Sequence, residues 1–360
     1  MKKSLAAKVL PKSVQDDIDR QIEPHLKVRA SGVGLCSTKT GKERRMHIRA
    51  SVAQLWVLGY RILKLASLSP KHVQALMSYW EKEGRSAEFL HNRLSALRTL
   101  AGWLGKRNVV LDMEDYFPKE RTQRHAATRV NLSWSANGVD PLKMIEFAKS
   151  IDERLAVMLS LQHFFGLRVK ESIEMRPGNA LIDGGRAIEV FEGTKGGKPR
   201  QVPIRNEAQR EAFAWACRVA TEGRIKRLRW PDCTWLQAQG RFYGFMRRLM
   251  ITKDQLGVTP HGLRHGNLQR LYREESGFLS PIEVAASNQY GTAVALPIPP
   301  LGLTRENHLQ ACRTVSREAG HVRTGIGASY FASYGHGLRK EPRLDNESVP
   351  PPTSMKVTFE

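Results

Sequence analysis

The sequence predicts a mainly α protein with a small β-sheet or hairpin, an α+β chain in which a helical bundle precedes a second, mixed domain. Three observations carry this. Apolar residues recur at spacings of three and four along most of the chain. One pair of short β-prone runs flanks a glycine-rich turn. A length of 360 residues also exceeds the usual span of a single domain.

Residues 1–45 are basic and rich in turn formers, and "ASGVGLCSTKTGKERR" reads as a loop or flexible N-terminal arm. Residues 46–110 are predicted to form the bundle. In "SVAQLWVLGYRILKLASLS", Leu55, Leu58, Ile62 and Leu65 share one helix face. Pro70 suits the first turn of a second helix that carries Val73, Leu76, Met77 and Trp80 and stops at Gly84. A third helix aligns Leu90, Leu94, Leu97, Ala101 and Leu104. Its other face holds Arg93, Arg98, Lys106 and Arg107, a basic side suited to DNA.

Residues 111–139 lose the helical period and read as a linker. The second domain spans 140–335. It opens with one helix over "VDPLKMIEFAKSIDERLAVMLSLQHFFG", with Asp140 as N-cap, Pro141 at the first helical position and Gly166 as stop. Runs 188–191 and 201–204 then make a β-hairpin across the turn "EGTKGGKPR". Helical spacing returns in "EAQREAFAWACRVA", "QGRFYGFMRRLMI", "HGLRHGNLQRLYREE" and "ENHLQACRTVSREAG". Residues 278–304 read as an irregular insertion and 336–360 as a C-terminal tail.

Charge narrows the function. Lys and Arg number 57 against 35 Asp and Glu, a formal net charge of +22, and such an excess calls for a polyanion, with nucleic acid first because phosphate neutralisation releases counterions. Apolar runs fall short of the roughly eighteen residues of a membrane span. Lys8 and Pro11 also interrupt the N-terminus too early for a signal peptide, so no membrane partner and a cytoplasmic location are expected. Cys36, Cys217, Cys233 and Cys312 are scattered without paired spacing, which predicts reduced, structural thiols.

Four short stretches could carry chemistry. In "GLRVKES", Arg168 could fork onto a phosphate with Glu171 holding it in place, although a surface ion pair has the same spacing. The turn presents Lys195, Lys198 and Arg200, as a proton donor, a groove contact or simply solvated charge. "HGLRH" groups His261, Arg264 and His265 at a helix start, where the dipole adds to their attraction for phosphate. The absence of interleaved carboxylates and the basic flanks argue against a metal there. In "AGHVRTGIGASYF", His321 precedes Tyr330, a phenol suited to anchor a helix or to attack a phosphate.

Together these boxes resemble the tyrosine recombinase, or phage integrase, family: G-L-R-x-x-E, a hairpin lysine, H-x-x-R-H, G-H, and a tyrosine nine residues after that histidine. The resemblance covers about residues 50–335 and implies a helical core-binding domain joined to a catalytic domain. It implies a site-specific recombinase acting on double-stranded DNA through a 3′-phosphotyrosine, without metal or other cofactor, to integrate or excise a mobile element. Arg168, Lys195, His261, Arg264, His321 and Tyr330 would be catalytic, with Glu171 and His265 supporting; Lys198 and Arg200 would join the basic helix face on DNA. A monomer in solution would assemble as a homotetramer on DNA, with accessory DNA-bending or directionality factors as further partners.

The chain departs from the family pattern in the insertion at 278–304 and in Ala319, where leucine is usual. Tyr334 rivals Tyr330 and Lys198 rivals Lys195. A type IB topoisomerase-like enzyme and a catalytically silent DNA-binding accessory protein stand as alternatives.

Overall fold

The computed structural model describes residues 5–124, 127–221, 226–285, 297–321, 323–335 and 338. The chain divides into two compact units, Met1–His125 and Ala126–Glu360. The division falls inside the stretch expected to be a linker. Met113 and Phe117 pack into the first core, and Trp134 and Val139 into the second.

The first unit is helical: α1 (Leu5–Val9), α2 (Lys12–Ile22), α3 (Thr38–Val57), α4 (Pro70–Lys82), α5 (Ala87–Trp103) and the single turn α6 (Lys119–Thr122). Its core joins Val14, Ile18 and Ile22 to Ile48, Val52, Leu55, Trp80, Leu94 and Leu97. This corrects the expectation of an arm over 1–45. The spacing of Val14, Ile18 and Ile22 puts them on one face of α2, and burying that face stabilises the helix more than its modest length would alone. The loop is confined to the residues between α2 and α3, where Val28 and Leu35 form an isolated bridge and the Ser37 side chain caps α3 by accepting from Thr40 N.

The helix expected to continue through Leu65 ends at Val57. Gly59 adopts a left-handed φ of +89°, a conformation that stops a helix and that glycine takes at little cost. Ile62 and Leu65 are nonetheless buried, because the chain folds back and Trp56 Nε1 donates to Ile62 O at 3.0 Å. The expected basic face is also partly engaged. Arg93 donates to His47 O, Arg98 to Leu111 O and Asp112, and Lys106 to Leu68 O. Arg98 and Arg107 remain exposed.

The second unit comprises α7 (Pro141–Ile151), α8 (Glu153–Phe165), α9 (Val169–Glu174), α10 (Pro177–Ala180), α11 (Glu207–Thr221), α12 (Trp235–Arg248), α13 (His261–Ser276), α14 (Pro281–Val284), α15 (Arg305–Glu318) and α16 (Ala328–Phe331). Strands β1 (Leu181–Ile182), β2 (Ala187–Val190) and β3 (Arg200–Pro203) form an antiparallel sheet in the order β1-β2-β3, with Ile188 opposite Val202. Two-residue β1 is too short to leave an alternation in the sequence.

α8 is the central helix, apolar on nearly every side, and packs against α7, α11 and α13. The single helix expected from Asp140 to Gly166 is two. Asp152 turns extended between them (φ −161°, ψ 113°) and its carboxylate accepts from Leu155 N and from Trp230 Nε1, each at 2.9 Å. A short acid that caps the next helix competes with continuing the previous one. The expected insertion contains α14, while residues 286–296 lie outside the described residues, as do nearly all of 336–360.

No described helix is long and apolar enough to cross a membrane.

Candidate active site

The site is assembled from four chain turns of the second unit. The first is the entry to α9. Gly166, with φ +61°, ends α8; a Cβ there would meet Asn267 Oδ1 at 2.6 Å, so both conformation and close approach require glycine. Arg168 is the N-cap of α9, and its own N–H donates to Glu171 Oε2 at 2.7 Å. Its guanidinium donates to Glu171 Oε1 at 2.7 Å and to Ala319 O at 3.0 Å. Of the two readings of this pair, the surface ion pair does not hold: Glu171 is fully buried.

Burial alone would push the Glu171 carboxyl up, but hydrogen bonds and charge from Arg200, followed by Arg168, hold it down at about 2. Arg200 overturns its assignment to a DNA-facing surface. Its guanidinium donates to both Glu171 oxygens at 2.7 and 2.8 Å and its Nε to Glu318 O at 2.6 Å. In β3, alternate residues Arg200 and Val202 point inward, and a buried guanidinium demands such partners. The period-two alternation of "RQVP" was the available signal.

The second turn is the start of α13. Arg264 is 1% exposed. It donates to Gly166 O, to Ala319 O at 2.6 Å, and through Nε to Tyr330 Oη at 3.4 Å. Burial lowers its pKa to about 10, leaving it protonated at neutral pH. Carbonyls and a phenol, rather than a carboxylate, accept its protons. With Arg168 and Arg200 around the single carboxylate of Glu171, the site carries excess positive charge suited to an anion.

His261 stands at the solvent edge. Desolvation by its packed side and the charges of Arg264 and Arg168 lower its pKa to about 4, so it is neutral at pH 7. His265, one turn on, is buried, lies within 3.3 Å of Tyr330 O through Nδ1, and is lowered by burial to about 3.

The third and fourth turns follow α15. Gly320 turns left-handed (φ +67°), and His321 N donates to Ser316 O at 2.8 Å. After the 3-10 turn Thr324–Gly327, α16 carries Tyr330. The His321 ring stacks on the Tyr330 ring at 5.5 Å, with the His261 ring at 5.6 Å and the His265 ring at 4.8 Å. Five of the six residues expected to be catalytic, Arg168, His261, Arg264, His321 and Tyr330, thereby meet.

Tyr334 goes elsewhere. It is buried, its hydroxyl donates to Leu279 O at 3.3 Å, and its ring lies 5.4 Å from His308. Lys195 opens the short turn Lys195–Gly197, and the role expected of its side chain lies outside the described part of the structure. Lys198 is exposed on the hairpin. Among the described residues no group of three or more His, Cys, Asp or Glu side chains is arranged to hold a metal.

Sequence reasoning missed the Ala319 carbonyl, which no side-chain pattern can reveal. It also missed the pairing of Glu318 with Arg205, whose partners are 113 residues apart.

Comparison with known proteins adds independent evidence. Residues 20–110 match the family model described as phage integrase, N-terminal, and residues 137–269 the model described as integrase. Tyrosine recombinase XerD of Neisseria meningitidis serogroup B is 34% identical over 124 residues, 32% of this chain and 40% of that protein. XerD of a serogroup A strain is 34% identical over 116 residues, 30% of this chain and 38% of that protein. The match thus spans about two fifths of these curated relatives' length.

Among solved structures, XerH site-specific recombinase bound to palindromic difH substrate aligns with a TM-score of 0.52. The identity is 13%, covering 91% of this chain and 95% of that one. A lambda integrase dimer bound to a COC′ core site gives 0.53 at 14% identity, covering 93% and 80%. At such identity the likeness is one of fold.

Proposed function

Because the chain belongs to the phage integrase family of tyrosine recombinases, we propose that it cleaves and rejoins double-stranded DNA at specific sites through a 3′-phosphotyrosine intermediate. The observation that carries this is the contact of Arg264 Nε with Tyr330 Oη inside a ring of three histidines. Phosphoryl transfer requires a phosphate binder and a nucleophile to meet at one atom, and the 3.4 Å contact supports that reading.

In this reading Tyr330 Oη attacks the scissile phosphorus, forming the Tyr330 O–P bond and breaking the bond to the 5′ oxygen. Arg168 and Arg264 bind the non-bridging oxygens, where charge builds in the transition state. His261, neutral at pH 7, accepts the phenolic proton, and His321 hydrogen-bonds the phosphate. Lys195 protonates the leaving 5′ oxygen. Attack by a 5′-hydroxyl of a second strand reverses the step, since the bond energy is retained in the adduct. Exchange between two duplexes needs four such sites, hence a homotetramer on DNA, formed from monomers and serving a mobile element's integration or excision.

A nicked suicide duplex that loses its 5′-hydroxyl fragment after cleavage tests the proposal. A covalent protein–DNA band on a denaturing gel, present in EDTA, retained in Tyr334→Phe and absent in Tyr330→Phe, is expected. DNA binding without any adduct on a cognate site would make the chain a silent DNA-binding protein instead.

A further inference from the structure

Arg200 links two parts of the site that the chain builds separately. Its terminal nitrogens grip both oxygens of Glu171, the carboxylate that orients Arg168. Its Nε donates to Glu318 O, one residue before the Ala319 carbonyl that receives both Arg168 and Arg264. Gly320 follows, then His321. A Cβ on Gly320 would stand 2.9 Å from Arg200 Cδ, so the side chain lies directly against the turn that delivers the histidine.

Strand β3 reinforces the attachment. Arg205, just beyond its end, holds the Glu318 carboxylate in a two-pronged pair. The last turn of α15 is therefore gripped through its backbone by Arg200 and through its side chain by Arg205. The Arg200 side chain is 4% exposed, and its donors are taken up by the Glu171 carboxylate and Glu318 O. A cation this deeply buried is tolerated because all three of its bonds go to an anion or to the negative end of a helix.

We propose that Arg200 is a positioning residue for DNA cleavage: it locks the Glu171–Arg168 pair to the end of α15, so that Arg168 and His321 hold one geometry toward the phosphate. The proposal rests on the recombinase reading above. A misplacement of about 1 Å at a phosphate clamp can cost on the order of a hundredfold in rate, so a link with no substrate contact can govern the chemical step.

Single-turnover adduct formation on the nicked duplex, at saturating DNA and well below each variant's unfolding transition, separates positioning from mere stability. Loss of folded protein lowers the amplitude, whereas loss of positioning lowers the rate constant. Arg200→Met is expected to slow the rate constant about 100-fold, with DNA affinity within about threefold of wild type. Arg200→Lys, whose ammonium cannot span the three acceptors of the fork, is expected to lose about tenfold. Arg200→Met combined with Glu171→Gln is expected to be no slower than the slower single variant, because both break the same link.

A rate constant within threefold of wild type in Arg200→Met, a loss confined to amplitude, or losses that multiply in the double variant would each overturn the proposal. Should Arg200→Met fail to fold, Arg200→Lys carries the same criteria, with a wild-type rate constant overturning it. Absence of an adduct from the wild-type chain would bring down the recombinase reading and this inference together. A normal wild-type adduct with an unaffected Arg200 variant would bring down this inference alone.

Discussion

Arg168 and Arg264 donate to the same backbone oxygen, that of Ala319, at 3.0 and 2.6 Å. One is the N-cap of α9 and the other lies in the first turn of α13, yet a single acceptor at the end of α15 fixes their separation. Each arginine reaches this carbonyl through one nitrogen of a planar fork that carries further N–H groups, a geometry that a lysine point charge cannot reproduce. Arg168→Lys and Arg264→Lys are each expected to lower single-turnover adduct formation by roughly 10²–10³-fold, with DNA affinity changed far less. Equal loss of rate and affinity would show that the arginines serve binding alone.

Acid is expected to weaken the fold in a defined window. His163, His261 and His265 are held at about 4, 4 and 3, chiefly by burial, against an ordinary value near 6.5. The unfolded chain therefore binds more protons below that value. Their neutral packing contributes in full above about pH 6.5 and is lost as pH falls toward 4, at most roughly 1.4 kcal/mol per pH unit for each fully coupled histidine, less for His261 at the solvent edge. Urea midpoints for the whole chain should fall between pH 7 and 5, and His265→Gln should shallow the slope. A midpoint unchanged over that range would contradict the buried neutral state.

Glu171 acts at lower pH and in the same direction, although here folding favours the charged form rather than the neutral one. Its carboxylate is held at about 2, so its contribution is present above the ordinary carboxylate range near 4.5 and is lost as pH falls toward 2. Glu171→Gln is expected to abolish that lower limb of the stability profile while leaving the histidine limb in place.

The break between α7 and α8 depends on one carboxylate. Asp152→Ala removes the cap on Leu155 N and a half-buried acceptor of Trp230 Nε1, and about 1–3 kcal/mol of stability should go with them. Asp152→Asn, which keeps an acceptor and a cap, should recover most of it. Equal loss in both variants would shift the weight to the ion pair with Arg241.

Gly320→Ala meets two obstacles, a φ of +67° and Arg200 Cδ at 2.9 Å. It is expected to destabilise by about 1–2 kcal/mol and to slow adduct formation more than it weakens DNA binding, since it pushes His321 and Arg200 apart. Unchanged cleavage would show that the turn adjusts freely.

Much of the site was legible because its markers are local. Gly166, Arg168 and Glu171 set a helix stop and a basic–acidic pair one helical turn apart within six residues, and the histidines of α13 are set by helical spacing. The burial of Arg200 was half legible. Alternation in β3 sends it inward, but its charge argued for the surface, and only the position of Glu171, 29 residues away, reverses that. The N-terminal arm was misread for a related reason: turn formers and basic residues dominate residues 1–45 overall, while three apolar residues on one face of α2 suffice once α3 lies beside them.

From its residues alone, the chain settles what can be decided within a turn or two: the helix stops at Gly84 and Gly166, where the hairpin lies, which side chains could bind phosphate or attack it. Folding in three dimensions decides what depends on distant partners. It places Arg264 beside Tyr330 and the Leu279 carbonyl beside Tyr334, and it turns Ala319 into a shared acceptor through its backbone. Backbone carbonyls and the desolvation of buried charge have no signature in residue order, because both arise only when segments far apart in the chain exclude water together.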